Sequence, residues 1–282
     1  MSFTKVKKGV CAAKGFVANG LNCGLNSDKN KNDLALVYSE TQCQAAAVYT
    51  TNKVKGAPIQ VTKAHLEASG HTAKAVIANS KNANTCNADG VEKAQRMCEL
   101  AAAELSIDPN EVIVASTGVI GQVLPIEPIE SHIKELAKGL SADGNDKAVN
   151  AIMTTDTVPK QYAVKFMLGD CECTVGGMAK GSGMIHPNMA TTLNFITSDV
   201  AISSELIQKA LSEIVKVTYN CLSIDGDTST NDMVSIMQTA LQETHLLLQR
   251  MMIIRPLRMH CTRCFQILQE CLQRMERVLQ SF

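Results

Sequence analysis

A threonine at the head of a strand can serve as a nucleophile if the chain is cut just before it. The cut frees the α-amino group of that same residue. With a pKa of about 7.7–8.0 the amine takes the hydroxyl proton near neutral pH, and no separate histidine is needed. Lys180-Gly-Ser-Gly-Met-Ile-His-Pro-Asn-Met-Ala-Thr-Thr-Leu193 offers such a residue in Thr191, with Thr192–Ile196 reading as the strand. The cut can be self-inflicted: the hydroxyl attacks the preceding carbonyl and water then hydrolyses the ester. On residue types alone, a threonine in an ordinary strand remains the commoner outcome. Gly181-x-Gly183 is no dinucleotide loop, because the third glycine and the strand–helix context are missing.

Two other stretches are rich in small polar residues. Ser116-Thr-Gly-Val-Ile-Gly121 closes an apolar run, Glu111–Ala115, and read alone is a tight turn. Asp225-Gly-Asp-Thr-Ser-Thr-Asn-Asp232 lacks the spacing of a calcium loop. It reads instead as a structural turn that brings polar groups toward the site.

The elements around these stretches alternate. Leu34–Tyr38, Ala45–Tyr49, Ala75–Asn79, Glu111–Ala115 and Gln161–Met167 read as strands. Val91–Leu105 reads as a helix that Asp89 could cap, and Ser204–Thr218 carries a helical apolar stripe. This implies an α/β fold with layered sheets and helices. The 282 residues are 45% hydrophobic and 19% charged, with 27 basic and 27 acidic side chains. That balance gives no attraction to nucleic acid or membrane surfaces. No apolar run approaches a membrane span, and Met1–Lys8 lacks a secretory core, so a cytoplasmic enzyme is expected. The eleven cysteines, Cys11, Cys23, Cys43, Cys86 and Cys98 among them, read mostly as small buried hydrophobes rather than a disulfide framework.

Lys180–Phe195 resembles the cleavage segment of the bifunctional ornithine acetyltransferase / N-acetylglutamate synthase family, K-G-[SA]-G-M-I-x-P-N-M-A-T-M-L, cut between Ala and Thr. Thr192 departs from it, where Met is usual. Gly9–Phe16, Tyr49–Lys55, Ser116–Gly121 and Asp225–Asp232 resemble four further family motifs, collinear up to about residue 237. Lys81 stands where the family usually has Gly.

The resemblance implies the layered α/β sandwich of that family, self-cleaved into two chains that pair into a heterotetramer, two of each. It implies a cut at Ala190–Thr191, with Thr191 as nucleophile and carrier of the acetyl group. Thr117 and Gly118 match the oxyanion pair, one by its hydroxyl and the other by its backbone N–H. Lys180 and Thr154 match substrate-binding positions, with Thr155 a neighbouring alternative. For Lys180 the ordinary expectation is a solvated surface lysine, and for Thr154 a turn cap. His186 has no role. The activity implied is transfer of acetyl from N-acetylornithine to glutamate, a recycling step of arginine biosynthesis. No metal or nucleotide cofactor is implied, and acetyl-coenzyme A is an alternative acetyl donor in some members. Outside this reading stand a threonine-nucleophile amidohydrolase or aminopeptidase and an inactive, truncated fragment of the acetyltransferase.

Residues 1–190 would form the first chain and 191–237 the start of the second. From Gln238 the sequence turns rich in Gln, Arg, Leu, Met and Cys. Reading the codons one base earlier can restore A-N-G-L-A-G-N-T-P-I and, further on, K-N-G-E-G-A-T-K-F, which resemble the family's continuation. Residues 238–282 are therefore expected to be an out-of-frame tail, leaving the second part incomplete. A zinc reading of His260, Cys261, Cys264 and Cys271 is the weaker account of the same residues. Resequencing the coding DNA decides between them.

Overall fold

The structure is a computed structural model and describes residues 3–168, 170–182, 192–216, 218–221 and 227–242. Its strands are β1 (Phe3–Val6), β2 (Phe16–Leu21), β3 (Leu34–Tyr49), β4 (Thr72–Asn79), β5 (Val112–Ser116), β6 (Lys160–Leu168), β7 (Cys171–Lys180), β8 (Leu193–Val200) and β9 (Met233–Gln242). Its helices are α1 (Ala57–Ala68), α2 (Gly90–Leu105), α3 (Glu127–Lys138), α4 (Asn145–Ile152) and α5 (Ser204–Lys216). The strands run β1-β6-β7-β8-β9-β3-β4-β5, with β2 added beside β3. The β4–β5 and β8–β9 pairs are parallel and the others antiparallel.

Strand β3 joins two halves of this sheet. Its first half pairs with β2 and β4, and residues 44–49 pair with β9. The two strands read from the sequence at 34–38 and 45–49 are thus one strand, with the ladder to β4 interrupted between Tyr38 and Cys43. The polar Ser39–Gln42 interval that suggested a turn is the irregular stretch.

Alternation along the strands divides the apolar side chains into layers. Leu34, Leu36, Ala75, Ile77, Val112 and Val114 pack with α2 and α3. Ala35, Val37, Val76, Ala78, Ile113 and Ala115 point the other way, into a middle layer with α4. Leu193, Phe195, Met233 and Met237 enter that middle layer from the other half-sheet. Ile196, Val234 and Ile236 face outward onto α5. The result is a mixed α/β sandwich in which the two halves of one sheet meet across a middle layer, with α2 and α3 covering one half and α5 the other. Every residue of β8 is buried, as a strand covered on both faces must be.

Helix α2 presents Ala94, Met97, Cys98, Ala101 and Ala102 to the core at helical spacing. Asp89 precedes it but makes no capping bond; its carboxylate pairs instead with Lys93, one turn on. Helices α1, α3 and α4 were not read from the sequence. Among the described cysteines, Cys11, Cys23, Cys43, Cys98 and Cys173 are buried and free, with burial pushing the Cys11 thiol up to about 11 and those of Cys43 and Cys173 up to about 12. The expected out-of-frame tail lies outside the described residues from 243 onward. Residues 238–242 continue β9, and Gln238 pairs with both Gln44 and Ser198.

Candidate active site

The turn after β5 is forced by its glycine. Gly118 has φ +134°, and a Cβ there would lie 2.1 Å from the carbonyl carbon of Lys81. The Thr117 N–H donates to Asn79 O at 3.0 Å and the Val119 N–H to Lys81 O at 3.0 Å. The Gly118 N–H between them donates to no described residue. Lys81 itself has φ +76°, a left-handed conformation that glycine adopts without penalty. That is a backbone reason for glycine to be usual at this position.

Lys180 ends β7 and is 4% exposed, not the solvated surface lysine that its residue type suggests. Its Nζ donates to Thr117 Oγ1 at 2.9 Å. Burial pushes its ammonium below the ordinary lysine range, against the pull of Asp156 and Asp232. The structure thus brings Thr117, Gly118 and Lys180 together. Lys180 is also the register partner of Leu193, the first residue of β8.

Thr154 lies in the loop after α4, half-buried, on the wall of a polar cavity of about 390 Å³ shared with Lys31, Lys81, Met153 and Asp156. Its neighbour Thr155 is exposed and bonds Ser182 through its hydroxyl. Of the two, Thr154 lines this cavity. The loop is clamped by Asp156, which the sequence did not single out. Asp156 Oδ2 accepts the Thr154 N–H at 3.1 Å and Oδ1 accepts the Gly181 N–H at 2.9 Å. Asp156 also pairs with Lys160, both side chains being fully buried. Burial alone would push the Asp156 carboxyl up. The Lys160 ammonium, the Gly181 N–H and the Lys180 charge outweigh it and hold the carboxyl below the usual range.

Ala190 and Thr191 lie outside the described residues, as does His186. The next residue is described. The Thr192 N–H donates to Asp232 Oδ1 at 2.8 Å, and Thr192 O accepts the Met233 N–H at 3.1 Å. The peptide that follows Thr191 is therefore anchored at the head of β8. Asp232 is 1% exposed. Burial pushes its carboxyl well above the usual range, while the Thr192 N–H, Ser229 and Lys180 pull the other way. Beside it, Asn231 donates through Nδ2 to Ala83 O at 2.6 Å and Ser116 O at 2.9 Å. The polar run at 225–232 signalled this structural role without naming its contacts. Among the described residues, no group of three His, Cys, Asp or Glu could hold a metal.

Comparison with known proteins fits this architecture. The ArgJ family model matches residues 17–279. The arginine biosynthesis bifunctional protein ArgJ 1 of Clostridium acetobutylicum is 50% identical over 219 residues, 77% of this chain and 53% of that protein. This chain thus spans about half the length of that curated relative. The crystal structure of the arginine biosynthesis bifunctional protein ArgJ of Bacillus halodurans superposes with a TM-score of 0.62 at 39% identity, over 67% of this chain and 98% of the other. The ornithine acetyltransferase of Mycobacterium tuberculosis, solved in complex with ornithine, gives 0.60 at 34% identity, over 68% and 100%. Matched by the family model over most of its length and half identical to a curated member, this chain belongs to the ArgJ family.

Proposed function

We propose that this chain cuts itself between Ala190 and Thr191 and then moves an acetyl group from N-acetylornithine to glutamate through an acetyl ester on Thr191. The observation that carries the reading is the Lys180–Thr117 hydrogen bond at the end of β7, beside the head of β8. It joins a buried cation, a hydroxyl and the Gly118 N–H, which donates to no described residue, beside Leu193, two residues after Thr191.

In the transfer, Thr191 Oγ attacks the acetyl carbonyl and its hydroxyl proton passes to the Thr191 amine. The Thr117 hydroxyl and the Gly118 N–H hold the oxyanion of the tetrahedral intermediate. The intermediate collapses, and ornithine leaves with the proton that the amine held. The amine of glutamate then attacks the ester and regenerates the hydroxyl. Lys180 and Thr154 bind the substrate, Lys180 through a carboxylate. Residues 1–190 form the first chain, 191–237 open the second, and two of each assemble in the cytoplasm. Residues 238–282 are read as out of frame. Among the described residues, no helix is long and apolar enough to cross a membrane. Each solved relative's matched chain is spanned almost whole by 67–68% of this chain, about 190 of its 282 residues, as a first chain ending near residue 190 would be.

Mass spectrometry of the purified chain tests the reading. Two fragments that meet at Ala190–Thr191 are expected. With N-acetylornithine, the second fragment gains one acetyl group and glutamate removes it. Thr191→Ala stays in one piece and carries no acetyl group. An uncut wild-type chain would sink the proposal, and release of free acetate without transfer to glutamate would favour the amidohydrolase.

A further inference from the structure

Asn231 and Asp232 are adjacent, yet they hold two different parts of the site. The peptide between Ser116 and Thr117 is fixed at both ends: its carbonyl accepts Asn231 Nδ2 at 2.9 Å and its N–H donates to Asn79 O at 3.0 Å. This peptide leads into the oxyanion turn. One residue along, Asp232 Oδ1 accepts the Thr192 N–H at 2.8 Å, on the peptide that leaves Thr191.

The bracket is itself rigid. Asn231 uses its whole amide: Nδ2 on Ala83 O and Ser116 O, and Oδ1 on the hydroxyls of Thr85 and Thr230, each at 2.6 Å. Asp232 O accepts the Thr50 N–H at 2.9 Å, and Met233 enters the ladder beside Tyr49 and Leu193. Both side chains are at least nine-tenths buried. A carboxylate is a costly way to accept one backbone N–H in a buried place. A carboxyl pushed toward its neutral form by burial has asparagine as its near isostere.

We infer that Asn231 and Asp232 are positioning residues that set Thr192, at the head of β8, against the Thr117–Gly118 turn, one side chain gripping each. The inference rests on the proposed function for what is positioned, but the grip itself is independent of it.

The test follows newly translated full-length chains through a chase, reading cutting at Ala190–Thr191 by mass and folding by protease resistance. Asp232→Ala and Asn231→Ala should each slow cutting about tenfold or more, because small displacements of reacting groups cost large factors in rate. Asp232→Asn keeps an oxygen facing the Thr192 N–H and should retain cutting to within about threefold by the same geometric argument. An alanine variant that cuts at the wild-type rate, or an Asp232→Asn chain as slow as Asp232→Ala, overturns the inference. If Asp232→Ala fails to fold, Asp232→Asn alone decides: retained cutting supports the grip and a tenfold loss overturns it. If the wild-type chain stays whole, the proposed function fails and amide exchange judges the grip. Protection of the Thr192 N–H lost in Asp232→Ala and kept in Asp232→Asn supports it; protection unchanged in Asp232→Ala overturns it.

Discussion

Gly118 and Lys81 touch through their backbones and both hold positive φ, so they offer a controlled comparison. At Gly118 a side chain has no room, because its Cβ would sit 2.1 Å from a backbone carbon. Gly118→Ala should therefore cost at least about 2 kcal/mol of stability and displace the turn. At Lys81 the side chain is exposed and only the backbone is strained. Left-handed geometry costs an L-residue about 1–2 kcal/mol, and the extra freedom of an unfolded glycine returns about 0.4–1 of it. Lys81→Gly should thus be neutral or stabilising, by up to about 1.6 kcal/mol on that balance. Urea unfolding of the three chains measures both. A Lys81→Gly chain clearly less stable than wild type would show that its side chain holds the polar cavity together. The asymmetry is one of fit: one position excludes a Cβ, and the other only disfavours it.

At the scale of elements, the Asp156–Lys160 pair ties the loop after α4 to the start of β6 and the end of β7. Buried pairs contribute little net stability, but removing one partner deprives the other of its counter-charge, at about 3–5 kcal/mol. Asp156→Asn should lose about that much. Asp156→Asn with Lys160→Met, which removes both charges, should recover part of it, the remainder reflecting the one backbone N–H, of Thr154 or Gly181, that an asparagine amide nitrogen cannot accept. Guanidinium unfolding midpoints check this, and a double variant no better than the single one would count against the lost charge pairing as the cause. The pair was invisible in the sequence because Asp156 and Lys160 are ordinary polar residues until burial gives them a role. What could be read there was local or periodic. The stripe of α5, the alternation of β6, the Ala-, Glu- and Leu-rich run of α2 and the apolar runs of β4, β5 and β8 are all local signals. Helix α1 escaped because Pro58 and the β-branched Ile59, Val61 and Thr62 suggest a loop or strand. The structure places Pro58 in the first turn, where its missing N–H costs nothing. In the site, the meeting of Lys180 with Thr117 joins residues 63 apart and depends on the order of strands, which spacing does not reveal.

For the whole molecule, strand order decides what a cut before Thr191 would do. The residues beyond it supply β8, α5 and β9. Strands β8 and β9 lie inside the sheet, between β7 on one side and β3 on the other. Without them the remaining strands would form two separate pieces, β1-β6-β7 and the group around β3, each with an unpaired edge. The later segment is held by six ladder positions to β7 and six to β3. Its two faces are buried in different layers, Phe195 and Met237 in the middle one and Ile196 and Ile236 beneath α5. The cut fragments should therefore migrate as one species by size-exclusion chromatography in native buffer and separate only in denaturant. Fragments that elute independently without denaturant would show that β8 and β9 are not inserted as the strand order requires. The same topology makes the cut free of mechanical consequence. Such a cut would leave the ladders on both sides of the later segment, and the Asp232 grip on Thr192, in place.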